Sequence, residues 1–332
     1  MPKKFFIFAS LLIVTLQVSA TEVRIRLIKN LEKFPQILHA QIIPINARMW
    51  AVKGSGLSFG GHKLAKQNMI VQNLDQKFDL IGQFDFDQYL AGVVASEMPD
   101  RWPAEALKAQ AIVARSFAMA RMNERKDKIF QLDNDQMDQV FRATKSARAA
   151  AAVKATKNIV LKNQDGKILK AFFHADCGGQ TIPASQVWST ETDTGTAVDP
   201  WCKARKSNLW SFAIAQDQFQ QRLNQLGGSP MNVAQIFQQK IQAIQVGEAL
   251  FSTQKLRQIF GFAKIKNSPE SFQLENNVVK ISGQGFGHGA GLCQWGTLEQ
   301  AKRGVSALEI IRHYYPKAMI SEGESGQNLV SR

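Results

Sequence analysis

The stretch Trp102-Pro-Ala-Glu-Ala-Leu-Lys-Ala-Gln-Ala-Ile-Val-Ala-Arg-Ser-Phe117 constrains the fold more than any other part of the chain. Pro103 suits a first helical turn and Glu105 lies near the positive pole of the helix dipole, so the spacing predicts a helix running to about Arg125. Leu107, Ala111, Ala114 and Ala118 recur at three- and four-residue steps and form a narrow stripe of small side chains that permits close packing. Arg115, four residues after Ala111, projects near the same face, and a charge beside a packed stripe calls for a partner.

A chain of 332 residues with 45% apolar side chains can build a sizeable core. That composition excludes collagen-like, coiled-coil, disulfide-dense and wholly disordered classes. Lys3 and Lys4, the apolar run Phe5 to Leu16 and Val18-Ser19-Ala20 match a secretory signal peptide cleaved after residue 20. The other reading is a retained anchor, but the run is shorter than the roughly 20 residues a bilayer requires. The expected mature protein is exported to the periplasm or cell wall, without a stable membrane span. The whole chain carries +14, and loss of Lys3 and Lys4 with the signal leaves the mature protein at +12, which favours an anionic partner; outside the cytoplasm, cell wall or membrane surface suits better than DNA, so no nucleic acid is expected.

Residues 21–83 read as β-rich. Val23, Ile25 and Leu27 alternate with Arg24 and Arg26, the period of a half-buried strand. Further strands are expected over Ile37 to Ile43, Met49 to Val52 and Asn68 to Val71. A second helix is expected over Arg142 to Lys157, then a hairpin with arms Ile159 to Leu161 and Ile168 to Phe173 turning at Gln164-Asp165-Gly166. The Gln-rich segment 203–275 reads as an accessory helical insertion within a domain spanning 84–320, followed by a polar tail, 321–332. The expected class is α+β, with helices packed against a mainly antiparallel sheet.

Glu97 follows the apolar run Val93-Val94-Ala95. Its plain reading is a surface carboxylate or helix cap; its chemical reading is a partly desolvated carboxyl with a raised pKa, able to act as a general acid. Five glycines between Gly283 and Gly291 lack the spacing of a phosphate-binding loop, and no cofactor fingerprint is present. The turn they make would present His288, Gln294 and Trp295, suitable for holding a sugar, or would be a structural turn with a core tryptophan. Cys177, Cys202 and Cys293 allow one disulfide, with Cys177 and Cys202 the expected pair in an oxidising compartment. The alternative draws a metal site from His174 and the cysteines, but no second pair stands at finger-like spacing, so the expectation is no metal.

Four segments, Tyr89-Leu-x-Gly-Val-Val-Ala-Ser-Glu-Met-Pro, Ala106-Leu-Lys-Ala-Gln-Ala-x-x-Ala-Arg, Phe173-His-x-x-Cys-Gly-Gly-x-Thr and Gly285-Phe-Gly-His-Gly-x-Gly-Leu-x-Gln-Trp-Gly, resemble those of the SpoIID/LytB family, the stage II sporulation protein D and amidase-enhancer group. The resemblance covers most of Phe84 to Tyr315 with the segments in order. It implies a peptidoglycan lytic transglycosylase acting on glycan strands, best on strands stripped of stem peptides by an amidase. The family's essential acid falls on Glu97 and its helix arginine on Arg115. With these, Ser96, Gln110, His174, His288, Gln294 and Trp295 are the expected substrate-binding residues. Some family members hold zinc through a Cys/His segment after the long helix; here Leu132 to Val140 contains neither residue type.

A lytic transglycosylase needs one carboxyl, first as acid and then as base, where most hydrolytic glycosidases need two. Two other classes compete. A noncatalytic module that binds peptidoglycan and enhances an amidase would function without Glu97. An exported nucleic-acid binder would need basic residues clustered with exposed aromatics, and the six tryptophans are scattered.

Overall fold

The computed structural model describes residues 22–322 apart from 66, 136, 137, 145, 189, 190, 192, 204–207, 226 and 238. The expected signal segment, 1–20, lies outside the described residues, as does most of the expected tail.

Strand β1 (Glu22–Leu31) realises the predicted alternation, burying Val23, Ile25 and Leu27. Between them, Arg26 turns the other way and pairs with Asp79 at 3.1 Å and Asp133 at 2.6 Å. β2 (Gln41–Asn46) and β3 (Met49–Lys53) form a hairpin. The first of these begins later than expected because His39 adopts a left-handed backbone, φ 59°, which interrupts an extended run. A short ribbon, β4 (Ser58–Phe59) and β5 (His62–Lys63), precedes β6 (Gln67–Gln72) and β7 (Phe78–Asp85). With β8 (Leu132–Asp133) the long strands give a six-stranded sheet of order β2-β3-β6-β7-β1-β8, antiparallel except between β1 and β8.

Helices cover one face of this sheet. Asp85 caps α1 (Phe86–Glu97) by accepting from the Gln88 amide at 2.9 Å. The helix stops at Glu97 for a local reason: Met98 precedes Pro99, whose ring disfavours the helical region for its neighbour, and Met98 is extended at φ −128°, ψ 136°. The predicted long helix is α2 (Ala104–Glu124), and Leu107, Ala111, Ala114 and Ala118 are all excluded from water within the principal core. α3 (Ala147–Ala155) is shorter than expected because the Ser146 hydroxyl accepts from the Ala149 amide at 3.0 Å and fixes the start.

β9 (Ile159–Lys162) is the first arm of the expected hairpin, whereas β10 (Phe173–His174), at the end of the expected second arm, lies in a different sheet. The expected second arm returns only through the Lys162↔Ile168 bridge and the Leu169 amide on the Leu161 carbonyl at 2.8 Å, and the last strand of the chain pairs along the whole of β9. Two one-turn helices follow, α4 (Ala184–Val187) and α5 (Pro200–Lys203).

The helical character expected for 203–275 is corrected by the structure. The segment contains β11 (Leu209–Ala215), α6 (Gln216–Arg222), β12 (Met231–Phe237), β13 (Lys240–Val246), β14 (Ala249–Ser252), α7 (Thr253–Phe260) and β15 (Ser271–Glu275). Its apolar residues are compatible with either period, and the turns decide. Gly247 at φ 60° opens a two-residue connection that pairs Val246 with Ala249, which a helix cannot accommodate. A second core forms here around Phe219, Ile244, Leu256 and Ile281.

β16 (Val278–Gln284) lies between β11 and β15, so the inserted segment is joined directly to the glycine-rich loop. β17 (Leu292–Cys293) runs parallel to β10, setting His174 opposite Cys293. The chain closes with α8 (Gln294–Lys302), α9 (Ala307–Tyr314) and β18 (Met319–Glu322). The whole is the expected α+β arrangement of helices and mainly antiparallel sheets. Among the described residues no helix is long and apolar enough to cross a membrane.

Candidate active site

Because α1 stops at Glu97, its last carboxyl projects into a cleft of about 230 Å³ whose walls include Val140, His174, His288 and Gln294. Glu97 Oε1 accepts from the Val140 amide at 3.4 Å and Oε2 from the Gln294 side-chain amide at 3.2 Å. Burial pushes the Glu97 carboxyl above its ordinary value, against the opposing pull of these two hydrogen bonds. Its place at the negative end of the α1 dipole acts in the same direction as burial.

Two other carboxylates line the cleft, and both are occupied. Asp138 accepts from Arg121 at 2.8 Å and Arg125 at 2.9 Å, and Asp135 pairs with Lys29 at 2.7 Å. Among the described residues Glu97 has no cationic partner, and its burial favours the protonated form.

Opposite it stand two histidines of complementary tautomer. His174 Nδ1 lies 3.0 Å from the Ala290 carbonyl and must donate to it, which leaves Nε2 as an acceptor; that atom is buried without a partner among the described residues. Burial holds the His174 pKa down to about 4, so the ring is neutral. His288 Nδ1 accepts from the Ala290 amide at 3.1 Å, placing its proton on Nε2. Burial, followed by the influence of His174 and Arg257, holds this ring well below its ordinary value too. Gly287 makes the approach possible: at φ 113°, a Cβ there would lie 2.7 Å from the His174 Cβ.

The geometry divides the residues expected from sequence. Glu97, His174, His288 and Gln294 meet in one cleft. Arg115, expected among the substrate-binding residues, does not join them. It is 3% exposed and donates to the carbonyls of Thr156 at 2.7 Å and Val153 at 3.0 Å, closing the C-terminal end of α3. Burial lowers its pKa to about 10, with Asp87 opposing, so it remains charged. Gln110 is fully buried in α2 and outside the cleft lining. The Ser96 hydroxyl donates back to the Gly92 carbonyl at 2.7 Å, a bond within α1 itself. Trp295 packs on Trp102 with ring centroids 5.1 Å apart, at the edge of the principal core. The expected Cys177–Cys202 pair is not bonded in this structure, where all three cysteines are free and buried. Their sulfurs gather with the Asp199 carboxylate, all four ligand atoms lying within 4.8 Å of one another.

Sequence reasoning missed an aromatic wall and a cation. Phe172 stacks on Trp188 at 4.4 Å between centroids, and Trp188 meets His288 at 4.9 Å. Arg257, from α7 of the inserted segment, reaches the cleft while donating to the Ile265 carbonyl at 3.1 Å and the Lys266 carbonyl at 3.2 Å. The signal was faint: an arginine on an amphipathic helix in a segment read as accessory.

The cleft is thus built around one desolvated carboxyl, with two histidines and an aromatic wall beside it. The family model described as stage II sporulation protein matches residues 74–162, the stretch from β7 through α3 to β9. The stage II sporulation protein D of Bacillus amyloliquefaciens is 32% identical over 260 residues, covering 72% of this chain and 75% of that protein. The protein of the same name from Bacillus subtilis (strain 168) is 29% identical over 263 residues, covering 73% and 76%. The amidase enhancer of Bacillus subtilis (strain 168) is 23% identical over 286 residues, covering 68% of this chain and 39% of the enhancer. The chain belongs to the SpoIID/LytB family.

Proposed function

We propose that the protein is a lytic transglycosylase that cleaves the MurNAc–GlcNAc bonds of peptidoglycan glycan strands, with Glu97 as its single acid and base. Membership of the family supports a cell-wall role. The observation that carries the finer reading is the state of Glu97: a desolvated carboxyl in a cleft, unpaired with any cation among the described residues, beside two carboxylates already engaged by basic side chains.

The protonated Glu97 gives its proton to the glycosidic oxygen as the bond to the anomeric carbon breaks. The C6 hydroxyl of the same MurNAc then attacks that carbon, and the Glu97 carboxylate removes its proton. A 1,6-anhydro ring closes and the acid is restored, without an activated water. Gln294 holds the carboxyl through its amide and stabilises the anion formed midway. Trp188 and Phe172 offer flat surfaces for a sugar ring, and Arg257 offers a charge for a lactyl carboxylate of a peptide-free strand.

The test is incubation of the purified protein with amidase-denuded strands. Shortening of the strands supports the enzyme. No shortening, with the protein pelleting with glycan and an added amidase accelerated, supports the noncatalytic reading that the enhancer relative's name suggests.

Two substitutions sharpen the assignment. Gln294→Ala removes a donor that favours the ionised carboxyl, so the Glu97 pKa should rise further and the alkaline limb of kcat/KM should move to higher pH. An alkaline limb that stays put or moves to lower pH would contradict this role for the amide. Ser96→Ala loses only a bond within α1 and should cost no more than about 1 kcal/mol, with strand cleavage unchanged. A large loss of kcat in the folded Ser96 variant would return that hydroxyl to the site.

A further inference from the structure

Three distant parts of the chain bring their thiols to one point. Cys177 follows β10, Cys202 lies in α5 and Cys293 caps the start of α8; Asp199 completes the group from the residue before α5. All four are buried. The Cys202 and Cys293 sulfurs are 3.5 Å apart, and the Cys177 sulfur is 3.4 Å from Asp199 Oδ2. These are two opposite edges of a tetrahedron. A tetrahedral ion with metal–sulfur bonds of about 2.3 Å and metal–oxygen bonds of about 2.0 Å needs sulfur–sulfur edges of about 3.8 Å and sulfur–oxygen edges of about 3.5 Å, so small side-chain shifts would seat it.

The surroundings suit charged ligands. The Cys293 sulfur accepts from the Cys177 amide at 3.3 Å and the Gly296 amide at 3.4 Å, and it sits at the positive end of α8. Asp199 is oriented by the Tyr314 hydroxyl at 2.6 Å and the Cys202 amide at 2.8 Å. Gly296 leaves the room this needs, since a Cβ there would lie 2.0 Å from Asp199 Oδ2.

We propose that Cys177, Asp199, Cys202 and Cys293 form a structural site for a thiophilic divalent cation of the zinc class. Three soft sulfurs select such an ion over magnesium or calcium, and four protein ligands leave no open position for catalysis. Binding displaces the thiol protons to solvent. The ion would fasten the loop after β10 to the start of α8, the two segments that carry His174 and Gln294 into the cleft. The site is separate from Leu132 to Val140 and does not depend on the reaction assigned to Glu97.

The experiment is metal titration of the purified, reduced chain with zinc, and separately cobalt, against a competing chelator. The expected result is one ion per chain, a sulfur-to-cobalt charge-transfer band, and three thiols that react only after denaturation in excess chelator. Asp199→Asn, which retains the shape, should weaken zinc binding by more than about tenfold. If that variant does not fold, the thiol count and cobalt spectrum of the unaltered protein still decide. Three freely reactive thiols with no bound ion would overturn the site, and so would, in the protein as purified before reduction, a mass lower by two hydrogens with a single remaining thiol, the mark of a disulfide.

Discussion

Glu97→Gln is expected to reduce strand cleavage by at least about 10²-fold, the lower bound for loss of a positioned acid and base, while making the protein more stable at neutral pH. The two effects have one cause. Glutamine keeps the carbonyl that accepts from Val140, and Gln294 can turn its own amide to meet the new one. The cleft survives without a proton to give. The native carboxyl, however, is raised above its ordinary 4.5 chiefly by burial. Between the unfolded and folded pKa values the native state holds more protons than the unfolded state, so Glu97 lowers stability as pH rises through that window. The variant should therefore show a higher Tm than the native protein at pH 7, with the difference fading as pH falls below about 4.5. A variant equally active, or less stable at pH 7, would separate Glu97 from the role assigned to it.

The second large effect is one of folding. Arg115→Ala should destabilise the protein by about 3 kcal/mol, because it leaves a cavity and strips donors from carbonyls at the buried end of α3. Thermal unfolding measures this directly. Where the variant remains folded, its KM for glycan should match that of the native protein; a raised KM with unchanged Tm would restore the substrate role that the resemblance assigns to this arginine.

The contrast between these residues shows what a linear pattern carries. Glu97 was legible because its cause is local: an apolar run, a helix and a proline two residues on that stops it. The stripe on α2 was legible because helical period alone selects small residues for burial. Arg115 lies in an equally clear motif, yet its partners are 38 and 41 residues away, so its work as a clasp on α3 depends on tertiary packing. The same holds for the cysteines, where spacing suggested a loop-closing pair and folding gathered three with an aspartate.

The inserted segment failed for a different reason. Glutamines interrupt its apolar residues so that both periods fit, and only Gly247 and the pairing of β13 on both edges decide for strands. With the helical assignment went any view of Arg257 as a cleft residue. Trp188 was missed because its contacts with Phe172 and His288 come from three separate segments that no sequence period relates.

The most direct measurement of the central claim is mass spectrometry of glycan fragments released from amidase-denuded strands in water enriched with oxygen-18. Closure by the substrate's own C6 hydroxyl predicts fragments ending in 1,6-anhydro-MurNAc with no solvent oxygen, from the native protein and not from Glu97→Gln. Reducing ends that carry the heavy isotope would mean that water is the nucleophile, and that Glu97 is half of a hydrolase pair.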